Sequence, residues 1–204
     1  MKKALESYWS GGITGEEMIA VANQVEVSAW TEQANAGIDL VALDGTMYDH
    51  VLDFAVTYLG MVPERFSHLD GLEQYFACAR GSKNSEALDM SKYFDTNYHY
   101  IAPEIMSDSN ICPNWNPLLE KVKRGQDAIG IDKAVPLVLG PVTLAYLCRG
   151  ASKSLDSLVC ELTPHYLALL KSLSDLKVPE VQVCFCILLQ LFALEKMILE
   201  SGLT

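Results

Sequence analysis

Apolar positions along this chain gather in short runs, separated by longer mixed stretches that close at glycine or proline, a pattern of strands alternating with helices. Residues 2–10 read as the end of a helix. After Gly11-Gly12, the segment Thr14-Gly15-Glu16-Glu17 has the form of a capping box, with Thr14 at the N-cap and Glu17 reaching back from N3. It predicts a long helix to about Asn35, stopped by Gly37. Further helices are expected over 48–59 before Gly60, over 72–79 before Gly81, over 118–129, and over 142–148 after the Gly140-Pro141 turn. The last long helix contains Thr163-Pro164, which either restarts it with Pro164 in a first turn or kinks it.

Four segments have strand character: 38–43, 91–100, 135–139 and one that begins at 181. Most are continuously apolar rather than alternating, which suits parallel strands buried on both faces by helices. The expected fold class is therefore α/β. A complete (β/α)8 barrel needs eight strands and about 250 residues, so a TIM-type barrel here would be partial, with about half the strands present. No internal repeat or low-complexity tract appears.

Length and composition narrow the partners. At 204 residues and 50% hydrophobic, the chain suits one globular domain. A formal net charge of -11 argues against nucleic acid, whose phosphates need clustered Lys and Arg, although a few local cations could still hold a small anionic ligand. The N-terminal residues lack an apolar export core and no uninterrupted apolar stretch reaches membrane-spanning length; the longest run, 181–194, is broken by Gln182 and Gln190. The six cysteines, Cys78, Cys112, Cys148, Cys160, Cys184 and Cys186, lack C-x-x-C spacing and suit reduced thiols in a cytoplasmic protein.

Dinucleotide-binding, P-loop, H-E-x-x-H and nucleophile-elbow motifs are absent. Cys184-Phe185-Cys186 offers two thiols with nothing nearby in sequence to complete a tetrahedral metal site, so no metal is expected on this chain. Of the histidines, His50, His68 and His165 read as surface or satisfied core residues. His99 differs, because it lies with Asp95, Asn97 and Tyr98 toward the C-terminal end of an expected strand, where α/β barrels build their sites. Asp95, Asn97 and His99 alternate by two, so a regular strand would point them to one face as either a polar network or a ligand site.

The segment Asp89-Met90-Ser91-Lys92-Tyr93-Phe94-Asp95-Thr96-Asn97-Tyr98-His99-Tyr100-Ile101-Ala102-Pro103-Glu104 resembles the E-M-T-K-W-F-D-T-N-Y-H-Y-I-V-P-E signature of cobalamin-independent methionine synthases. Lys2 to Trp9, Tyr48 to Asp53, Tyr75-Phe76 with Ala79-Arg80-Gly81, and Pro136 to Thr143 resemble further segments of that family's N-terminal domain, in the same order. The resemblance implies a two-barrel, zinc-dependent enzyme that moves a methyl group from 5-methyltetrahydropteroyl polyglutamate to homocysteine in methionine biosynthesis, the zinc activating the thiolate. The zinc ligands and the homocysteine pocket belong to a C-terminal barrel that has no counterpart here. The N-terminal barrel holds the polyglutamate tail. Matching residue by residue, Lys2 falls on the lysine of R-E-L-K, Lys92 on that of M-T-K-W-F and Asn97 on the asparagine of D-T-N-Y, groups able to pair with or donate to carboxylates.

The family's first strand, G-F/Y-P-R-I/V/M-G, and the Arg-Glu before Lys2 have no match, and similarity fades where Cys184 follows Val183. The expected organisation is an incomplete N-terminal barrel over 1–183 and a divergent tail over 184–204. Three functions follow as expectations: the N-terminal portion of a methionine synthase, inactive alone; a stand-alone module that binds folate polyglutamates or a partner barrel; or a structural protein without a ligand.

Overall fold

The computed structural model describes residues 1–105, 111–150 and 153–186. Two N-terminal helices open the chain, α1 (Lys2–Trp9) and α2 (Gly15–Asn35). The capping box forms as read: the Glu17 amide donates to Thr14 Oγ1 at 3.2 Å and the Thr14 amide to Glu17 Oε2 at 2.7 Å, satisfying two N–H groups that the first helical turn leaves over. A short strand, β1 (Val41–Ala42), follows. Asp49 then caps α3 (His50–Leu52) through Oδ1, which accepts from the Leu52 amide at 2.8 Å. The helix continues as a wider π-helical stretch over Asp53–Tyr58 and closes at Gly60, whose φ of 64° lies in the left-handed region. A 3₁₀ turn (Glu64–Phe66), α4 (Gly71–Arg80), the hairpin strands β2 (Met90–Lys92) and β3 (His99–Ile101), and α5 (Asn116–Ile129) come next. The described chain ends with β4 (Ala134–Val135), β5 (Leu137–Leu139), α6 (Pro141–Leu147), α7 (Leu155–Asp175) and β6 (Gln182–Cys184).

The architecture is mixed α/β. β1 pairs in parallel with β4, Val41 opposite Ala134, and β6 pairs in parallel with β5, Val183 opposite Val138. These ladders lie on opposite edges of one segment: the Lys133 and Val135 carbonyls accept from β1, whereas the Pro136 carbonyl accepts from Gln182. Pro136, with no N–H to give, marks the point where the segment exchanges one neighbour for the other. The expected strand over 38–43 contracts to two residues. Among the described residues the strands close no barrel.

One expectation is corrected, and one of two alternatives at Pro164 is set aside. Residues 91–100 are not one parallel strand but an antiparallel hairpin, β2 against β3, with Lys92 opposite His99. Helix α7 passes through Pro164 without restarting, and Thr163 Oγ1 donates back to the Val159 carbonyl at 2.7 Å. Most of the tail expected over 184–204 lies outside the described residues.

Two apolar clusters fill the interior. One gathers Trp30, Val41, Val138, Leu144, Leu162 and Leu169 between the parallel ribbon and helices α2, α5, α6 and α7. The other joins Leu5, Met18, Phe66, Phe76 and Ile101 under α1 and α4. The Trp9 and Tyr75 rings each meet Phe76 edge-on, with centroids 5.5 and 5.2 Å away. No helix among the described residues is long and apolar enough to cross a membrane.

Candidate functional site

Parallel strands direct their C-terminal ends to one side, where backbone groups stop pairing and loops can build a site. At that end of β1 the chain runs through Asp44 and Gly45. The Trp30 indole Nε1 donates to the Asp44 carbonyl at 2.8 Å, and the Lys121 ammonium donates to the Gly45 carbonyl. Gly45 has a φ of 143°, and a Cβ there would stand 2.5 Å from Glu26 Oε1, so only glycine fits. Glu26 in turn binds both Lys121, at 2.9 Å, and Arg124, at 2.6 Å, joining α2 to α5 beneath the loop.

Two cavities meet at this loop. A small one of about 70 Å³ sits at the strand ends, lined by Asp44, His50, Asp53, Tyr93, Lys121 and Cys184 among others. A groove of about 560 Å³ runs outward between α2, α5 and the π-helical stretch, and shares Gly45, Asp53, Tyr58 and Lys121 with it. Asp53 stands on the common wall. Burial pushes its carboxyl up to about 6, against the opposing pull of hydrogen bonds from Thr46 and Tyr75 and of the Lys121 charge. The Tyr75 hydroxyl donates to Asp53 Oδ1 at 2.6 Å.

The β2–β3 hairpin flanks the strand-end cavity through Tyr93. Its closure is local: the Tyr93 amide donates to the Tyr98 carbonyl at 2.7 Å, and Thr96 Oγ1 donates to the Tyr93 carbonyl at 2.6 Å. Phe94 takes a φ of 52°, the left-handed turn position usually given to glycine or asparagine. Its ring stacks on Tyr146 with centroids 5.7 Å apart. Asp95 and Asn97 therefore lie in the turn, exposed, and not on a strand face with His99, as the alternation by two implied. His99 alone of the three is in β3, where its Nδ1–H donates to the Asn97 carbonyl at 2.9 Å.

The hairpin thus brings Lys92, Asn97 and His99 together: Lys92 faces His99 across the ladder, and Asn97 is tied to His99. Lys2 stands apart on α1, its side chain 88% exposed and 3.8 Å from Glu6, with no hydrogen bond or ion pair to the hairpin among the described residues.

Sequence reasoning gives Asp49 no role and reads His50 as a surface or satisfied core residue. Asp49 Oδ2 accepts from the Ile101 amide at 3.3 Å, and His50 Nδ1 lies 3.2 Å from the Tyr98 hydroxyl, so α3 and its N-cap touch the hairpin at two points. Burial raises the Asp49 carboxyl despite backbone hydrogen bonds and the neighbouring His50, and burial lowers the His50 imidazole despite Asp49 and Asp44. The available signal was the Tyr48 to Asp53 segment, which resembled its family counterpart without revealing a role.

Burial makes two of the thiols poor nucleophiles by pushing Cys78 and Cys148 up to about 12, and Cys186 Sγ accepts from the Tyr93 hydroxyl at 3.3 Å. No group of three or more His, Cys, Asp or Glu side chains among the described residues could hold a metal ion, so these residues do not fit zinc.

Comparison with known proteins places these features in a family. A family model described as "Cobalamin-independent synthase, N-terminal domain" matches residues 1–195. A protein of Synechococcus sp. (strain JA-2-3B'a(2-13)) named 5-methyltetrahydropteroyltriglutamate–homocysteine methyltransferase is 47% identical over 184 residues, covering 90% of this chain and 24% of the relative. Proteins of the same name from Thermosynechococcus vestitus and Trichodesmium erythraeum are 44% and 40% identical, with the same coverage. The chain spans about a quarter of the length of these relatives.

Proposed function

The chain belongs to the cobalamin-independent synthase family through its N-terminal domain, and from that premise we propose that it forms the part of a methionine synthase that holds the substrate's polyglutamate tail, without transferring methyl groups by itself. The observation that carries this reading is the hairpin, in which Lys92 pairs with His99, His99 is bonded to the Asn97 carbonyl, and all three residues are exposed. An ammonium there pairs with glutamate carboxylates, and the Asn97 amide donates to another. Because His99 Nδ1–H is engaged by the Asn97 carbonyl, its Nε2 is the nitrogen left to face a ligand. Lys2 would add a second ammonium from α1.

In this reading residues 1–183 are the barrel-forming portion, and the ribbon of β1, β4/β5 and β6 with helices α5, α6 and α7 is an arc of a (β/α)8 barrel. The zinc and homocysteine chemistry falls to a separate C-terminal barrel as partner, in the cytoplasm.

Titration calorimetry tests the reading. The chain should bind 5-methyltetrahydropteroyltriglutamate at least tenfold more tightly than the monoglutamate, and Lys92→Ala should remove most of that difference. Supplied with zinc and homocysteine, it should form no methionine. Equal affinity for both ligands, or measurable methionine, would overturn it.

A further inference from the structure

We infer that His50 is a positioning residue for the hairpin's ligand-facing groups, holding Tyr98 so that Asn97 and His99 on either side of it stay in register with Lys92. The inference rests on the tail-holding reading given above. It starts from a mismatch. Tyr98 is 47% exposed, so core packing does not dictate where its ring lies, yet its hydroxyl sits 3.2 Å from His50 Nδ1 and the two rings tilt together with centroids 5.8 Å apart. His50 also meets Tyr93 edge-on at 5.5 Å, and Tyr93 meets Tyr98 edge-on at 5.7 Å. The imidazole therefore packs against the last residue before the turn and the first residue after it.

Asp49, the N-cap of α3, and His50, its first residue, tie the hairpin to this helix, and they do different work. Asp49 holds the far end of β3 at the Ile101 amide, while His50 holds the near end at Tyr98. At about 3.3 Å per residue, these points are about 10 Å apart along the strand. Phe94 stacks on Tyr146 on the other strand's side of the turn, and these two points fix the direction of the β3 side. An isolated hairpin is marginal in water, so its attachments set how well its turn is ordered. Tyr98 lies directly between Asn97 and His99, so fixing its side chain restrains both. Depression of the His50 pKa by burial favours the neutral ring, whose Nδ1 can accept from the Tyr98 hydroxyl.

A double-mutant cycle read by calorimetry tests this. Tyr98→Phe removes the hydroxyl from an exposed ring and should leave the thermal midpoint within a degree or two. His50→Phe keeps an aromatic ring but loses the acceptor. Each is expected to weaken triglutamate binding about three- to tenfold, the range of one hydrogen bond, with little change for the monoglutamate, and the double variant should be no weaker than either single one. His50→Asn, whose amide oxygen can stand near the Nδ1 position, should recover most of the loss. Exchange of the Tyr93 amide proton, which closes the hairpin, should quicken in both single variants.

Single variants that bind like wild type, or losses that add in the double variant, overturn the inference while leaving the tail-holding reading intact. Wild-type protein that does not distinguish triglutamate from monoglutamate overturns both. Unchanged Tyr93 exchange overturns the positioning step even if affinities fall.

Discussion

Lys121 and Glu26 form an ion pair at 2.9 Å with side chains only 10% and 14% exposed, and Arg124 binds the other oxygen of the same carboxylate at 2.6 Å. One anion thus serves two largely buried cations. Removing one partner of such a cluster is worse than never having had it, because the remaining charges keep their desolvation cost without compensation. Glu26→Ala is expected to destabilise the fold by about 3–5 kcal/mol in urea unfolding. Lys2→Ala, at an exposed i,i+4 pair, should change stability by less than about 0.5 kcal/mol. Similar effects for the two would refute the distinction.

Asp53 links stability to pH. Its folded value of about 6 lies above the ordinary 3.8, so the native state holds the proton more tightly than the unfolded chain. That contribution is complete below about pH 4 and is lost as pH rises through about 6. Asp53→Asn does not ionise. Relative to it, wild type should lose about 2–3 kcal/mol between pH 4 and 7. Urea midpoints of the two proteins across that range check this, and a pH-independent difference would rule it out.

Gly125 sets two effects against each other. In the middle of α5, Gly125→Ala gains about 1 kcal/mol of helix propensity. The added Cβ would stand 2.4 Å and 2.6 Å from the two Leu43 methyls and 3.1 Å from Leu43 Cγ, and Leu43 is itself buried. Overpacking costs about 1–3 kcal/mol, so the net effect should be a loss of about 1 kcal/mol in thermal or urea unfolding. A gain would mean the Leu43 side chain repacks freely.

At the N-terminus of α2, Thr14→Ala removes the acceptor for the Glu17 amide. It should cost about 1 kcal/mol, and Thr14→Ser should restore most of it. No difference between the two substitutions would show that the hydroxyl is dispensable.

The capping box was readable because its partners lie three residues apart, and the glycine stops because one residue's conformation decides them. The hairpin was not readable in the same way. Its turn places Phe94, not glycine, in the left-handed position, so the run from Lys92 to Tyr100 looked like one uninterrupted strand. The change of neighbour at Pro136 depends on which strands arrive at each edge, information held in distant parts of the chain. At the site, Lys92 emerges only from family resemblance, whereas Asn97 is also marked by an alternation with Asp95 and His99 that the turn does not keep. The His50 and Tyr98 contact joins residues 48 apart, and no spacing rule brings them together.

The segment between Ala134 and Leu139 also sets an order in time. β1 can pair only after β4 exists, about ninety residues later, whereas the cluster that joins α1, α2 and α4 has all its residues once Ile101 is made. At about 5–20 residues per second, β1 waits on the order of five to twenty seconds during synthesis with its backbone unpaired. The cluster beneath α1 and α4 is thus free to form a first folded unit while the parallel ribbon remains the late, slow step, exposed in the interval to pairing with the wrong strand.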